Sequence, residues 1–109
     1  MTFGDADLLK KIADRFSEDS RHDSDLILAA IEEEDLTTLS LVLHRLAGRV
    51  GQIGAGELAT EFRKMELAIA KKDGHLTVDE RQQIKQLLEE LKMVILAVKA
   101  HADTHYSIS

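Results

Sequence analysis

The sequence predicts an all-α protein built as an antiparallel bundle of four helices. Leucine, alanine, glutamate and lysine, which favour helices, dominate the 109 residues, and proline is absent. Apolar residues recur at three- and four-residue spacing in four segments, as on the buried face of a helix. Because only short polar connections separate these segments, consecutive helices are expected to pack antiparallel around one core. We therefore expect a single domain over residues 1–109.

The first helix is predicted over residues 5–33, and the sequence leaves its continuity open. Apolar residues mark both ends of this segment, but residues 17–25 are wholly polar. The polar stretch is either an exposed part of one long helix or a break after which Ser20 or Ser24 caps a second helix. We favour one long helix, straight or kinked.

The second helix is predicted to begin after Asp35, a suitable N-cap, and to end at Gly54. His44 lies about 100° around this helix from Leu43, on the shoulder of its apolar stripe. The stripe is complete without the histidine, since it consists of Leu36, Leu39, Leu43, Leu46, Val50 and Ile53.

The third helix is expected to run to about Lys72. The fourth helix follows a capping box formed by Thr77 and Glu80 and is expected to continue to about Ala102, with the last residues frayed. The apolar residues expected in the core are Leu58, Phe62, Met65 and Ile69 of the third helix and Ile84, Leu87, Leu88, Leu91, Met93, Val94, Ile95 and Val98 of the fourth.

Charge is divided along the chain. The net charge is −6, yet residues 1–35 carry net −7 and residues 41–72 carry net +3. A basic neighbourhood around a reactive imidazole favours a phosphoryl group and an acidic partner surface. The cations form no dense stripe and aromatic residues make up only 4%, so we expect no nucleic-acid partner.

Several other classes of protein are excluded by residues that the chain lacks. Without cysteine there is no disulfide and no thiolate ligand or nucleophile, which fits a reducing compartment. No apolar run approaches the ~18 residues of a membrane span, and we expect no direct membrane contact. No glycine-rich loop follows a strand, so we expect no ATP site.

The face of the second helix beside His44 carries only small side chains. Ala47 and Gly48 follow at i+3 and i+4, and Gly51 follows at i+7. Glycine costs a helix interior roughly 1 kcal/mol relative to alanine. Two glycines here therefore indicate that a partner needs close access to the imidazole.

The run from His44 to Leu58 resembles the signature of the histidine-containing phosphotransfer (HPt) domain. That signature is approximately His-x-Leu-Lys-Gly, then Gly six positions after the first Gly, and then Leu. The resemblance covers essentially the whole chain, because the family has the same order of helices: an acidic helix, a histidine helix and two further helices. His44, Leu46, Gly48, Gly54 and Leu58 occupy the matching places, and Ala47 stands where lysine is usual.

The resemblance implies a bacterial two-component phosphorelay in the cytoplasm. His44 would accept a phosphoryl group from a receiver-domain aspartate and pass it to another receiver, which also supplies any Mg²⁺. The partners implied are response-regulator receiver domains and a hybrid sensor kinase acting in cis or in trans. The chain would be a monomeric phosphocarrier, either a free protein or the C-terminal module of such a kinase, which can itself be anchored in a membrane.

The phosphoryl group and the docking partner are expected to meet a small set of residues around His44. Arg45 and Arg49 would supply the positive charge that the lysine provides in the family, and Leu41 and Val42 would offer apolar contact. The complete expected surround is Ser40, Leu41, Val42, Arg45, Ala47, Gly48, Arg49 and Gly51.

Two alternative functions stay open at this point. Because Ala47 replaces the usual lysine, the chain could be a helical docking module that binds a receiver or another partner without phosphotransfer. The other alternative, a metal-binding helical bundle, rests only on His101 and His105, which have the spacing of helical zinc ligands but no third ligand or catalytic glutamate. We therefore expect no metal site.

Overall fold

The computed structural model describes the backbone of residues 2–108 and the side chains of residues 7–103. It contains four helices, and no strand occurs over those backbone residues. Each helix packs against its two neighbours around a ring in the order α1, α2, α3, α4. The predicted all-α four-helix bundle is thus confirmed. The helices are α1 (Thr2–Glu33), α2 (Leu36–Gln52), α3 (Gly56–Ala70) and α4 (Val78–Ile108).

The first and last helices are about twice as long as the two between them. They contain 32 and 31 residues, against 17 in α2 and 15 in α3. Lys10 of α1 lies 3.9 Å from Asp103 of α4, so the two helices continue as a pair. Helix α4 extends to Ile108, past the predicted end near Ala102, because the equally long α1 runs antiparallel beside it. Helix α3 ends at Ala70, slightly before the predicted Lys72.

The polar stretch of α1 is part of one continuous helix, as favoured from the sequence. It is not simply an exposed stretch, however, because Ser17, Ser20 and Asp23 are all buried. These residues lie three apart and share the face that α1 turns towards the bundle. Small serines allow close packing there, and the Asp23 carboxylate is neutralised by arginines of α2.

The predicted capping residues set the starts of α2 and α4. Asp35 accepts a hydrogen bond from the backbone N–H of Thr38 at 3.1 Å. In the capping box before α4, Glu80 N–H donates to Thr77 Oγ1 at 3.0 Å and Thr77 N–H donates to Glu80 Oε1 at 2.9 Å. Gly54 follows α2 with a φ of +98°, a conformation that glycine adopts without strain.

The core is formed by the apolar stripes of all four helices. The leucines of α2 at 39, 43 and 46 are fully buried, and so are Phe62, Ile84 and Leu91. Met93 was expected in the core, but this was wrong, since it is 68% exposed. It lies two residues after Leu91 and therefore points about 200° away from the buried face of α4.

Candidate functional site

His44 lies on the outer face of α2 and is not part of the core. Its side chain is 58% exposed, while the neighbouring Leu43 and Leu46 are fully buried. The leucines fix the rotation of α2 in the bundle and thereby fix the direction of the histidine. The imidazole is consequently accessible to a partner without any change in packing.

Glu66 of α3 holds one nitrogen of this imidazole. His44 Nδ1 lies 3.1 Å from Glu66 Oε1 and 3.2 Å from Oε2. Because a carboxylate only accepts hydrogen bonds, Nδ1 is the nitrogen that carries the proton. Among the described residues no other group bonds to the ring, so Nε2 keeps a free lone pair in the neutral imidazole.

Glu66 is the main site residue that sequence reasoning missed. It belongs to α3, 22 residues away from His44, and no motif marks it among the many glutamates of the chain. The only available signal was the pairing of α2 with α3. Once their antiparallel register is known, Glu66 is the acidic residue opposite His44.

A shallow groove of small residues lies between α2 and α3 beside His44. A Cβ atom built on Gly48 would have no neighbour within 4 Å, whereas one on Gly51 would lie 3.6 Å from the Cβ of Ala59. The glycines therefore differ, since Gly48 borders open space while a methyl group at Gly51 would make an ordinary van der Waals contact with α3. Ala47 forms the floor of the groove and is 4% exposed.

Arg45 and Arg49 bind a buried carboxylate on the opposite side of α2 from Glu66. Arg45 Nη2 lies 2.6 Å from Asp23 Oδ1, and Arg49 Nη1 lies 2.6 Å from Asp23 Oδ2. Asp23 is only 2% exposed. Burial alone would raise the pKa of Asp23, but the hydrogen bonds and charges of the two arginines outweigh it and lower the pKa. Both cations thus tether α1 to α2.

A family model matches most of the chain. The model of the Hpt domain matches residues 11–94, which include His44, Glu66 and the Asp23 tether. The chain belongs to the Hpt domain family. Hpt domains carry phosphoryl groups on histidine in the phosphorelays of two-component signalling, where they interact with receiver domains and are phosphocarriers rather than catalysts. No curated protein and no solved structure matched the chain.

The other predicted surround residues of this Hpt domain have different exposures. Leu41, one turn before His44, is 61% exposed, and Ser40 is half-buried. Val42 was expected to offer apolar contact to a partner, but this was wrong, because it is 2% exposed and belongs to the core. A position two residues before His44 lies about 200° around the helix and faces α1 and the core.

The structure offers this Hpt domain neither a metal cluster nor a membrane span over the residues that it describes. No group of three or more His, Cys, Asp and Glu side chains is arranged to hold a metal there. His101 belongs to α4, and the side chain of His105 lies outside the described residues. None of the described helical stretches is sufficiently long and apolar to cross a bilayer.

Proposed function

We propose that His44 accepts a phosphoryl group from the aspartate of a receiver domain and passes it to the aspartate of another receiver. The observation that carries this proposal is the exposed imidazole whose Nδ1 is held by Glu66, with Nε2 left free. We further propose that the donor is a hybrid sensor kinase acting in cis or in trans and that the relay operates in the cytoplasm. Any Mg²⁺ belongs to the receiver domain.

The proposed transfer begins with attack of the Nε2 lone pair on the phosphorus of the acyl phosphate. The N–P bond forms as the bond between phosphorus and the aspartate oxygen breaks, and the carboxylate leaves with the electron pair. The ring gains a positive charge because Nδ1 keeps its proton. The carboxylate of Glu66, at 3.1 Å from Nδ1, stabilises that charge. The reverse sequence delivers the phosphoryl group to the next receiver.

Replacing Glu66 tests this role of the carboxylate. We expect Glu66→Ala to slow phosphoryl acceptance about tenfold, which corresponds to about 1.4 kcal/mol of lost transition-state stabilisation. The rate of phosphoryl acceptance by Glu66→Gln should fall between those of Glu66→Ala and the wild type, because an amide oxygen still accepts a hydrogen bond from Nδ1 but carries no charge. The measurement is the single-turnover rate from a phosphorylated receiver.

Glu61→Ala is the matched control for this experiment. Glu61 lies on the same helix but is exposed and pairs with Lys64. This variant should transfer at the wild-type rate. Equal rates for Glu66→Ala and the wild type would show that the carboxylate contact has no role in transfer.

A partner is expected to dock on the outer faces of α2 and α3. Leu41 and Leu67, which are 61% and 50% exposed, supply apolar surface on the two sides of His44. Gly48, one turn after His44 on α2, presents no side chain. A receiver domain can therefore bring its aspartate close to Nε2, as in-line attack requires.

Gly48→Leu is predicted to block this approach. The added side chain enters open space, so it should not disturb packing, and leucine favours a helix by up to about 1 kcal/mol relative to glycine. Transfer should fall at least tenfold while the melting temperature stays the same or rises. Ala97→Leu, on the exposed face of the diagonally opposite α4, should leave transfer unchanged. Unimpaired transfer in Gly48→Leu would show that Gly48 is not needed for a receiver domain to reach His44.

The second candidate function is a docking module that binds receivers without accepting phosphate. The replacement of the usual lysine by Ala47 favours it. A wild-type chain that binds a phosphorylated receiver but remains unlabelled would support the docking module. Labelling of the wild type supports the phosphorelay.

A further inference from the structure

A phosphoryl group on His44 is stabilised by a contacting cation, and the cations of the second helix are directed towards α1. Phosphate-type groups carry about −1.5 to −2 charge near pH 7, and a nearby cation stabilises them. Ala47 has no charge, and both Arg45 and Arg49 are bound to Asp23. Their two charges exceed that of Asp23 by one, but both guanidinium groups point towards α1, so a cation in direct contact with the phosphoryl group is expected on another element.

The register of α2 and α3 places Arg63 opposite Ala47. The two helices run antiparallel, with His44 opposite Glu66 and Gly51 opposite Ala59. Three residues forward from His44 on α2 correspond to three residues back from Glu66 on α3. Arg63 accordingly lines the same groove as Ala47, about 4.5 Å along the helix axis from the level of His44.

Helix geometry separates Arg63 from Lys64 of α3 and from Lys71, which caps the end of that helix. Arg63 lies about 60° around the helix from Glu66, on the outer edge that faces α2. Lys64 and Lys71 lie about 160° and 140° from Glu66, further around the helix axis, and Lys64 borders both this groove and the surface towards α4. Among these three, Arg63 lies nearest around the helix to Glu66, the residue that contacts His44.

Arg63 is also available for binding. It is exposed, and none of the described residues forms a hydrogen bond or ion pair with its side chain. Lys64, by contrast, pairs with Glu61 at 3.4 Å. A guanidinium offers several donors in a planar fork that matches phosphate oxygens.

We propose that Arg63 binds the phosphoryl group carried on His44, from α3 and across the groove floored by Ala47. This role rests on the proposed phosphotransfer function. Arg63 thus supplies from the neighbouring helix the charge that the lysine would supply from α2. Its effect is on the distribution of the phosphoryl group between the receiver aspartate and His44.

The test compares Arg63→Gln with Lys71→Gln. Both changes remove one exposed cation that has no side-chain partner among the described residues of the chain. At low salt, Arg63→Gln should shift the equilibrium towards the phosphorylated receiver about two- to fivefold, the effect of one exposed charge contact. Lys71→Gln should match the wild type. At about 1 M salt, where the Debye length is about 3 Å, the shift should be largely lost.

Two rescue variants separate a direct contact from a structural effect. Arg63→Lys should keep most of the wild-type distribution of the phosphoryl group between the receiver aspartate and His44. Ala47→Lys in the Arg63→Gln background should restore it, because that lysine would reach the phosphoryl group from α2. The melting temperatures of Arg63→Gln and the wild type should agree.

The outcomes distinguish this proposal from the phosphotransfer function itself. If the wild type is labelled but Arg63→Gln has the same distribution, the role of Arg63 is overturned and phosphotransfer stands. If Lys71→Gln shifts the distribution as much as Arg63→Gln, the effect is the general field of α3 and the specific contact is overturned. If the wild type accepts no label, both proposals fail.

Discussion

Substituting His44 with glutamine is expected to abolish phosphoryl acceptance and to leave the fold intact. Glutamine has no nucleophilic ring nitrogen, and the side chain is 58% exposed with its neighbours Leu43 and Leu46 buried independently of it. A surface change of this kind alters the free energy of unfolding by only about 0.5 kcal/mol. The measurements are labelling from a phosphorylated receiver, helical circular dichroism and the melting temperature.

His22→Gln is the control for this substitution. His22 is exposed on α1, so its replacement makes the same chemical change at a position away from the site. It should accept phosphate at the wild-type level. Label retained by His44→Gln, or lost in His22→Gln, would contradict the assignment of His44. A collapse of helicity in His44→Gln would contradict its placement outside the core.

Replacing the buried Asp23 with alanine is expected to cause the largest loss of stability among changes that remove one charge from this chain. The variant leaves Arg45 and Arg49 without their shared carboxylate and creates a small void between α1 and α2. Removing one partner of a fully buried ion pair costs about 3–5 kcal/mol. Because Arg45 and Arg49 keep some contact with solvent, we expect the free energy of unfolding of Asp23→Ala to fall by about 2 kcal/mol. The loss is measured by urea unfolding of the variant and the wild type.

The matched control is Asp25→Ala, which removes an exposed carboxylate two residues further along α1. Its free energy of unfolding should stay within about 0.5 kcal/mol of the wild type. If Asp23→Ala is no less stable than Asp25→Ala, the arginines do not depend on Asp23 to hold α2 against α1.

The contribution of Asp23 should also depend on pH. The arginines lower the pKa of the folded carboxyl below its ordinary value of 3.8. A group with a lowered folded pKa stabilises the protein fully above the unfolded pKa and loses this effect as pH falls through the folded pKa. The stability difference between the wild type and Asp23→Ala should therefore be constant near neutral pH and shrink below about pH 4.

Local signals predicted much of the fold because they act within one helix. Asp35 and the capping box of Thr77 and Glu80 form their hydrogen bonds over three residues, and the leucine stripe of α2 has a single helical period. The polar stretch of α1 was harder to interpret. Asp23 can be buried only because two arginines of another helix neutralise it, and that information is not local.

The residues of the candidate site likewise fall into those that local sequence identifies and those that depend on contacts between helices. His44 and Gly48 are recognised from the spacing of one segment, and the structure gives Gly48 open space. Glu66 and Arg63 belong to α3, and their importance depends on the register between helices. The same register explains why Arg45 and Arg49, although adjacent to the motif, face α1 and bind Asp23. Sequence spacing alone does not distinguish these directions.

The proposed phosphorelay requires that His44 Nε2 carry a phosphoryl group received from a receiver aspartate. The most direct measurement is to incubate the wild-type chain with phosphorylated receiver domains and to locate the label by peptide mapping and ¹⁵N NMR of the imidazole. We expect an acid-labile, base-stable label on the peptide that contains His44, with phosphorus on Nε2 and the proton retained on Nδ1. An unlabelled chain, a label on another residue, or phosphorus on Nδ1 would contradict it.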